Sequence, residues 1–169
     1  MGSCSSSDLS FKNEKNNSLN TNDIILVRDS WRKIVHTGLC EYGTEFMINL
    51  LLKNPNLKSM WSFPDDLDSE SKMRDCDGLR NHGEKLFTAI EAIIYTLDDM
   101  YTCVQILIGI GRSHYNKGVR EEHFKVFGEV FIETLHRGLG KHFDAKLKTS
   151  WIKFLILIET QMKLGFENI

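Results

Sequence analysis

Residues 79–94 (LRNHGEKLFTAIEAII) and 104–119 (VQILIGIGRSHYNKGV) decide how this chain folds. In the first stretch Leu79, His82, Leu86, Ala89, Ile90, Ile93 and Ile94 recur at helical intervals. In the second, Val104, Leu107, Ile110, Gly111 and His114 do the same. That period marks an amphipathic helix. Each stripe carries one histidine among apolar residues, so both imidazoles point into a hydrophobic interior. His82 and His114 stand 32 positions apart. Most of a helix and a turn lie between them, so the two helices can face each other across a gap. A lone histidine on an apolar stripe is usually a boundary residue satisfied by a carbonyl. Two of them on successive helices suit a flat cofactor with a central metal, one imidazole as ligand from below and the other poised above. Glycines adjoin both: Gly83 follows His82, and Gly109 and Gly111 precede His114. Glycine inside a helix costs about 1 kcal/mol relative to alanine. Its use here predicts a close approach, such as a planar ring wedged between helices would need.

Outward from these stretches the chain continues as helix after helix. Ile24, Val27, Trp31, Ile34 and Val35 make a first stripe, and Tyr42, Phe46, Met47, Leu50 and Leu51 a second. Asn54-Pro55 reads as the start of a short third helix. Residues 64–78 (PDDLDSESKMRDCDG) are polar and read as a loop. Phe124, Phe127, Phe131 and Leu135 form a later stripe, with Gly138 as its C-terminal cap. Leu147, Trp151, Phe154, Leu155, Ile158 and Met162 form the last, with Asp144 as N-cap and Gly165 as its end. No stretch alternates with period two over a useful length. The class is all-α, with seven or eight helices.

The remaining bounds are mostly exclusions. A chain of 169 residues fits one domain plus a tail, 1–20 and 21–169. A formal charge of −2 gives no reason to expect nucleic acid as a partner. No apolar run reaches the ~18 residues of a membrane span, and no signal-peptide core follows Met1. Cys4, Cys40, Cys76 and Cys103 lack CxxC or CxxCH spacing, which argues against zinc and covalently attached haem. A reducing setting is the default, with Cys40–Cys76 the one pair to consider for a bridge.

Residues 1–20 (MGSCSSSDLSFKNEKNNSLN) have too few apolar side chains to offset their ordering entropy, so a disordered tail is expected. Its opening MGSCSS fits N-myristoylation at Gly2, with Ser6 at the favoured position and Cys4 placed for a palmitoyl chain. One myristoyl chain binds a membrane only marginally, and a second makes the anchor stable. Lys12 and Lys15 are too few to form a polybasic signal.

The motifs DSWRKIV (29–35), YGTEFMINLLLKNPNLKSMWSF (42–63), LRNHGEKLFTAI (79–90) and IGRSHYNKGV (110–119) resemble the globins. The resemblance covers residues 23–167 and lies nearest the neuroglobin-like and N-terminally acylated, globin X-like groups. It implies the globin fold around a haem pocket, with Trp31 as the first-helix tryptophan. It implies haem b held non-covalently, with His114 as proximal iron ligand and His82 as distal residue. His114 would coordinate through Nε2 and donate Nδ1–H to the Ile110 carbonyl or to Ser113. His82 would either hydrogen-bond a bound gas or ligate the iron itself. The neuroglobin likeness favours the second at rest. If His82 held the iron ~99% of the time, apparent ligand affinity would fall ~100-fold.

The resemblance further implies that Met47 faces the ligand, that Leu86 bars the distal side and that Lys85 reaches a haem propionate. Ile110, Val119, Phe124 and Phe127 would line the proximal and rear walls. The position of the usual haem-stacking phenylalanine holds Trp61, with Phe63 two residues on, so either ring could serve. Dioxygen and other diatomic gases are the implied ligands. The expected role is redox or electron transfer at a membrane surface, with a reductase as possible partner, rather than enzymatic turnover. The expected location is the cytoplasmic face of the plasma membrane. A tethered oxygen or redox sensor acting through a protein partner, and a scaffold that has lost haem, are the alternatives.

Overall fold

The computed structural model describes residues 18–167, so Gly2 and Cys4 lie outside the described residues. Seven α-helices follow one another: α1 (Thr21–Thr37), α2 (Leu39–Lys53), α3 (Glu70–Asp75), α4 (Asp77–Tyr95), α5 (Met100–Asn116), α6 (Glu122–Leu139) and α7 (Ala145–Glu167). Two 3₁₀ turns, Pro55–Met60 and Gly140–His142, complete the order, and no strand occurs among the described residues.

Local chemistry sets the ends of α1. The Asn20 side chain accepts from the Asp23 N–H at 2.9 Å, and the Asp23 carboxylate accepts from the Asn20 N–H at 3.1 Å. This reciprocal pair satisfies donors that the first turn would otherwise leave bare. Gly38 ends the helix at φ 122°, a conformation that side chains resist. The chain then turns directly into α2.

Glycine decides how closely the helices cross. A Cβ on Gly43 of α2 would fall 2.3 Å from the carbonyl carbon and oxygen of Gly83, and one on Gly83 would fall 2.4 Å from those of Gly43. A Cβ on Gly111 of α5 would meet the Met162 carbonyl oxygen of α7 at 2.1 Å, and one on Gly165 would meet the Ile108 oxygen at 2.4 Å. The α2–α4 and α5–α7 crossings are thus backbone against backbone, and they are the most extensive helix contacts in the fold. The expectation that Gly83 and Gly111 make room for a planar ring is corrected: each faces a neighbouring helix. At Gly109 nothing lies within 4 Å of a built Cβ.

The core between these crossings is aromatic. Trp31 stacks on Phe87 (centroids 5.6 Å, 26°) and tilts against Trp151 (5.9 Å), while Phe131 touches both Phe87 and Trp151. Trp31, Phe46, Phe87, Phe131, Trp151 and Phe154 are all buried. Truncating one such ring costs about 3–5 kcal/mol. A polar seam joins α1 to α7 beside this cluster. Lys153 Nζ lies 2.9 Å from Asp23 Oδ2, Ser150 Oγ donates to Asp23 Oδ1 at 2.8 Å, and Trp151 Nε1 donates to Ser30 Oγ at 3.0 Å. The indole N–H of Trp31 is buried without a hydrogen-bond partner among the described residues.

Several sequence expectations shift. The polar stretch 64–78 contains α3, begun by Ser69, whose side chain accepts from the Lys72 N–H. Arg74 of α3 bonds Glu70 on its own helix and Glu45 of α2, which holds this short helix in place. The α6 helix runs past Gly138 and ends at Gly140, where φ is 52°. A Cβ on Gly138 would strike the Tyr42 ring. Gly165 sits inside α7, which continues to Glu167. Asn54 does not cap the turn after it; its side chain donates to the Leu50 carbonyl at 3.3 Å. Val35 is 37% exposed rather than core. Asp144 does cap α7, accepting from the Leu147 N–H at 2.8 Å. Cys40, Cys76 and Cys103 are all free thiols.

Candidate functional site

His82 lies near the start of α4 and His114 near the end of α5, both half-buried. His114 Nδ1 is 2.9 Å from the carbonyl oxygen of Ile110, one turn earlier. Of the two acceptors expected for it, Ile110 and Ser113, the backbone oxygen is the one used; Ser113 is exposed. An Nδ1–H donated to that oxygen puts the proton on Nδ1 and leaves the Nε2 lone pair free.

The His82 imidazole is held below its ordinary basicity. Burial is the largest cause, followed by the charge of His114 and then those of Lys117 and Lys85. Burial penalises imidazolium, so His82 favours the neutral form, which has a lone pair to offer. Two imidazoles on successive helices, one with its Nδ1 engaged and the other favouring its neutral form, are a donor pair that could hold a metal complex between them.

The 3₁₀ turn Pro55–Met60 delivers Trp61 to this site. Its indole meets the His82 ring edge-on, at 5.3 Å and 72°. Phe63 stacks parallel on Trp61 at 5.6 Å and 5°, and also lies 3.5 Å from where a Gly78 Cβ would sit. Trp61 is therefore the ring beside the histidine, and Phe63 wedges it against the start of α4.

The other expected residues fall as follows. Met47 is fully buried on α2. Leu86 is half-buried one turn after His82, and Lys85 is exposed at the rim. Ile110 and Val119 are half-buried, and the Val119 N–H donates to the His114 carbonyl at 3.0 Å. Phe127 lies edge-on to Phe46 at 5.2 Å, whereas Phe124 stacks on Phe166 of α7 at 5.9 Å. Both phenylalanines also line an apolar recess between α6 and α7, with Ile132, Ile152, Leu155 and Ile158.

Two residues at the site escaped the sequence reading. Arg120 lies over the Tyr115 ring at 4.1 Å and donates to the carbonyls of Tyr115 and Val119, which fastens the chain just after His114. Lys117 bears on the His82 charge. A basic residue in a polar turn carries no pattern that would single it out.

Comparison with known proteins supplies the wider context. The family model described as Globin matches residues 44–162. Neuroglobin of Danio rerio is 24% identical over 148 residues, covering 88% of this chain and 92% of that protein. Cytoglobin-2 of Danio rerio is 24% identical over 131 residues, covering 77% and 73%. The fold matches a crystal structure described as a hexacoordinated heme protein from an anhydrobiotic tardigrade, with a TM-score of 0.81 and 16% identity. That match covers 89% of this chain and 96% of the other.

Proposed function

The chain belongs to the globin family, and on that premise we propose that it binds haem b with His114 as proximal ligand and His82 as the distal ligand at rest. The observation that carries this reading is the His114 Nδ1 contact with the Ile110 carbonyl, together with a His82 ring that burial shifts toward its neutral form. Bound haem supplies the reversible binding of dioxygen and other diatomic gases, and one-electron chemistry.

The chain's own residues do the rest. The Ile110 carbonyl fixes the His114 tautomer and aims Nε2. The Trp61 edge limits how far the His82 ring can swing, so His82 stays near the ligand position. Lys85, at the rim, is the cation for a propionate. Leu86, Met47, Ile110, Val119, Phe124 and Phe127 supply an apolar lining that excludes water. A site held by two histidines in both oxidation states needs little rearrangement when one electron moves, which suits electron transfer. Acylation at Gly2 and Cys4 would place that activity at the cytoplasmic face of the plasma membrane, within reach of a reductase.

The test is a pair of substitutions read by absorption spectroscopy. His114→Ala is expected to abolish stable haem binding. His82→Ala is expected to keep haem and convert a six-coordinate ferrous spectrum to a five-coordinate one. An unchanged Soret band in the first, or an unchanged ferrous spectrum in the second, contradicts the assignment. Gly2→Ala followed by cell fractionation tests the anchor: release is expected, and retention on membranes contradicts it.

A further inference from the structure

One end of the molecule is strongly basic, although the chain as a whole is formally −2. The corner between α6 and α7, residues 136–148 (HRGLGKHFDAKLK), holds Arg137, Lys141, Lys146 and Lys148 against a single acid, Asp144. All five are exposed, as are His136 and His142. Asp144 is engaged with the start of α7, its Oδ1 accepting from Leu147. Lys141, Lys146 and Lys148 enter no ion pair among the described residues. Arg137 donates to the neutral Asn49 side chain at 2.9 Å. The fold extends the patch. Tyr42, one turn into α2, lies against Gly138, which sets the α1–α2 junction beside this corner. Lys33 and His36 are exposed on the last two turns of α1, with Glu41 the exposed acid at the start of α2.

The start of α1 packs on the second and third turns of α7, just past this corner. The first turn of α1 is tied by Asp23 to Ser150 and Lys153, and Ser150 Oγ also donates to the Lys146 carbonyl at 3.2 Å. Asp23, in the first turn of α1, therefore sits about one turn of α7 from Lys146. A basic face on a chain that carries an acylation pattern has a natural counterpart. Anionic lipid attracts each nearby lysine or arginine by about 1 kcal/mol. A single acyl chain also needs a second signal to hold.

We propose that the corner bearing Arg137, Lys141, Lys146 and Lys148 is the face this protein lays against an anionic lipid bilayer. The proposal builds on the acylated-tail reading but is tested apart from it. It also sets the orientation, with the α6–α7 corner down on the lipid.

The experiment uses the full-length, unacylated, haem-loaded chain, sedimented with vesicles of phosphatidylcholine alone or with one-third phosphatidylserine, at low and at physiological salt. Wild type is expected to partition into the serine-containing vesicles, less so as salt rises. Lys141→Gln/Lys146→Gln/Lys148→Gln is expected to bind about 100-fold more weakly, from about fivefold per lysine. Lys72→Gln/Lys125→Gln/Lys163→Gln, of equal charge, is expected to bind like wild type. Equal binding to both vesicle types overturns the proposal. So does wild-type binding by the first triple variant, or an equal loss in the second, which would mean that net charge alone matters. Unacylated protein carries no lipid, so failure of the Gly2 anchor leaves this result untouched.

Discussion

Gly83→Ala is the substitution whose consequence the structure fixes most closely. Alanine gains about 1 kcal/mol over glycine in a helix interior, so on an open face the change would stabilise. Here the added methyl would lie 2.4 Å from the carbonyl carbon and oxygen of Gly43 and 2.9 Å from the Thr44 nitrogen. Ordinary contact begins near 3.4 Å, so α2 and α4 must part by about 1 Å. Both sides are backbone, and no side chain can swing aside. Overpacking of a well-packed core typically costs 1–3 kcal/mol, and separation here also loosens Phe87 from Tyr42 and Phe46. The net expectation is a loss of about 2 kcal/mol. Gly109→Ala is the matched control: it is exposed on α5 with nothing within 4 Å, so it should gain about 0.5–1 kcal/mol. Urea unfolding of both variants, with unchanged denaturant slopes, measures the two effects. A Gly83→Ala protein as stable as wild type would refute the backbone crossing, and a Gly109→Ala protein that loses stability would refute the open face.

Three further outcomes are expected. The Asp23 carboxyl is held below its usual 3.8: burial pushes it up, but bonds from Lys153, the Asn20 N–H and Ser150, and the Lys153 charge, outweigh that. A carboxyl lowered in the fold contributes stability above its unfolded pKa and loses it as pH falls through the folded value. The stability gap between wild type and Asp23→Asn should thus be full above about pH 4 and shrink below it; a gap unchanged down to pH 2 would contradict the pairing. Trp61→Ala removes an edge contact of about 0.5–1.5 kcal/mol from His82, so carbon monoxide association should quicken by about two- to tenfold in stopped flow; an unchanged or slower rate would count against the contact. Burial raises the Cys103 thiol, partly opposed by the Thr96 hydrogen bond, so Cys103 should resist a thiol reagent that labels Cys40 and Cys76; equal labelling of the folded protein would contradict its burial.

Long periodic stripes made most of the fold readable. The helices bearing His82 and His114 need some five turns each of matched apolar spacing, which irregular structure does not produce. Short elements were harder. The six-residue α3 buries Met73 alone and is fastened besides by the Ser69 cap and the Arg74–Glu45 contact, and a single apolar residue leaves no local period. The glycines misled for a related reason. Their presence correctly signalled close approach, but one chain cannot tell an approaching helix from an approaching ring. Gly138 and Gly165 look like helix ends because glycine often stands there, yet each is small to admit Tyr42 or the backbone of α5. At the site, the His114–Ile110 contact follows from helical spacing alone, whereas Trp61 against His82 joins residues across a polar loop. The basic corner was invisible for the same reason, since its meaning depends on where α1 enters.

The most direct test of the central claim is titration of the metal-free protein with hemin, followed by dithionite reduction, with the visible spectrum recorded throughout. One equivalent is expected to bind, with low-spin spectra in both oxidation states and a ferrous form showing sharp, paired α and β bands. Protein that leaves hemin free, or a ferrous form with a single broad visible band, would contradict the pairing of His114 with His82.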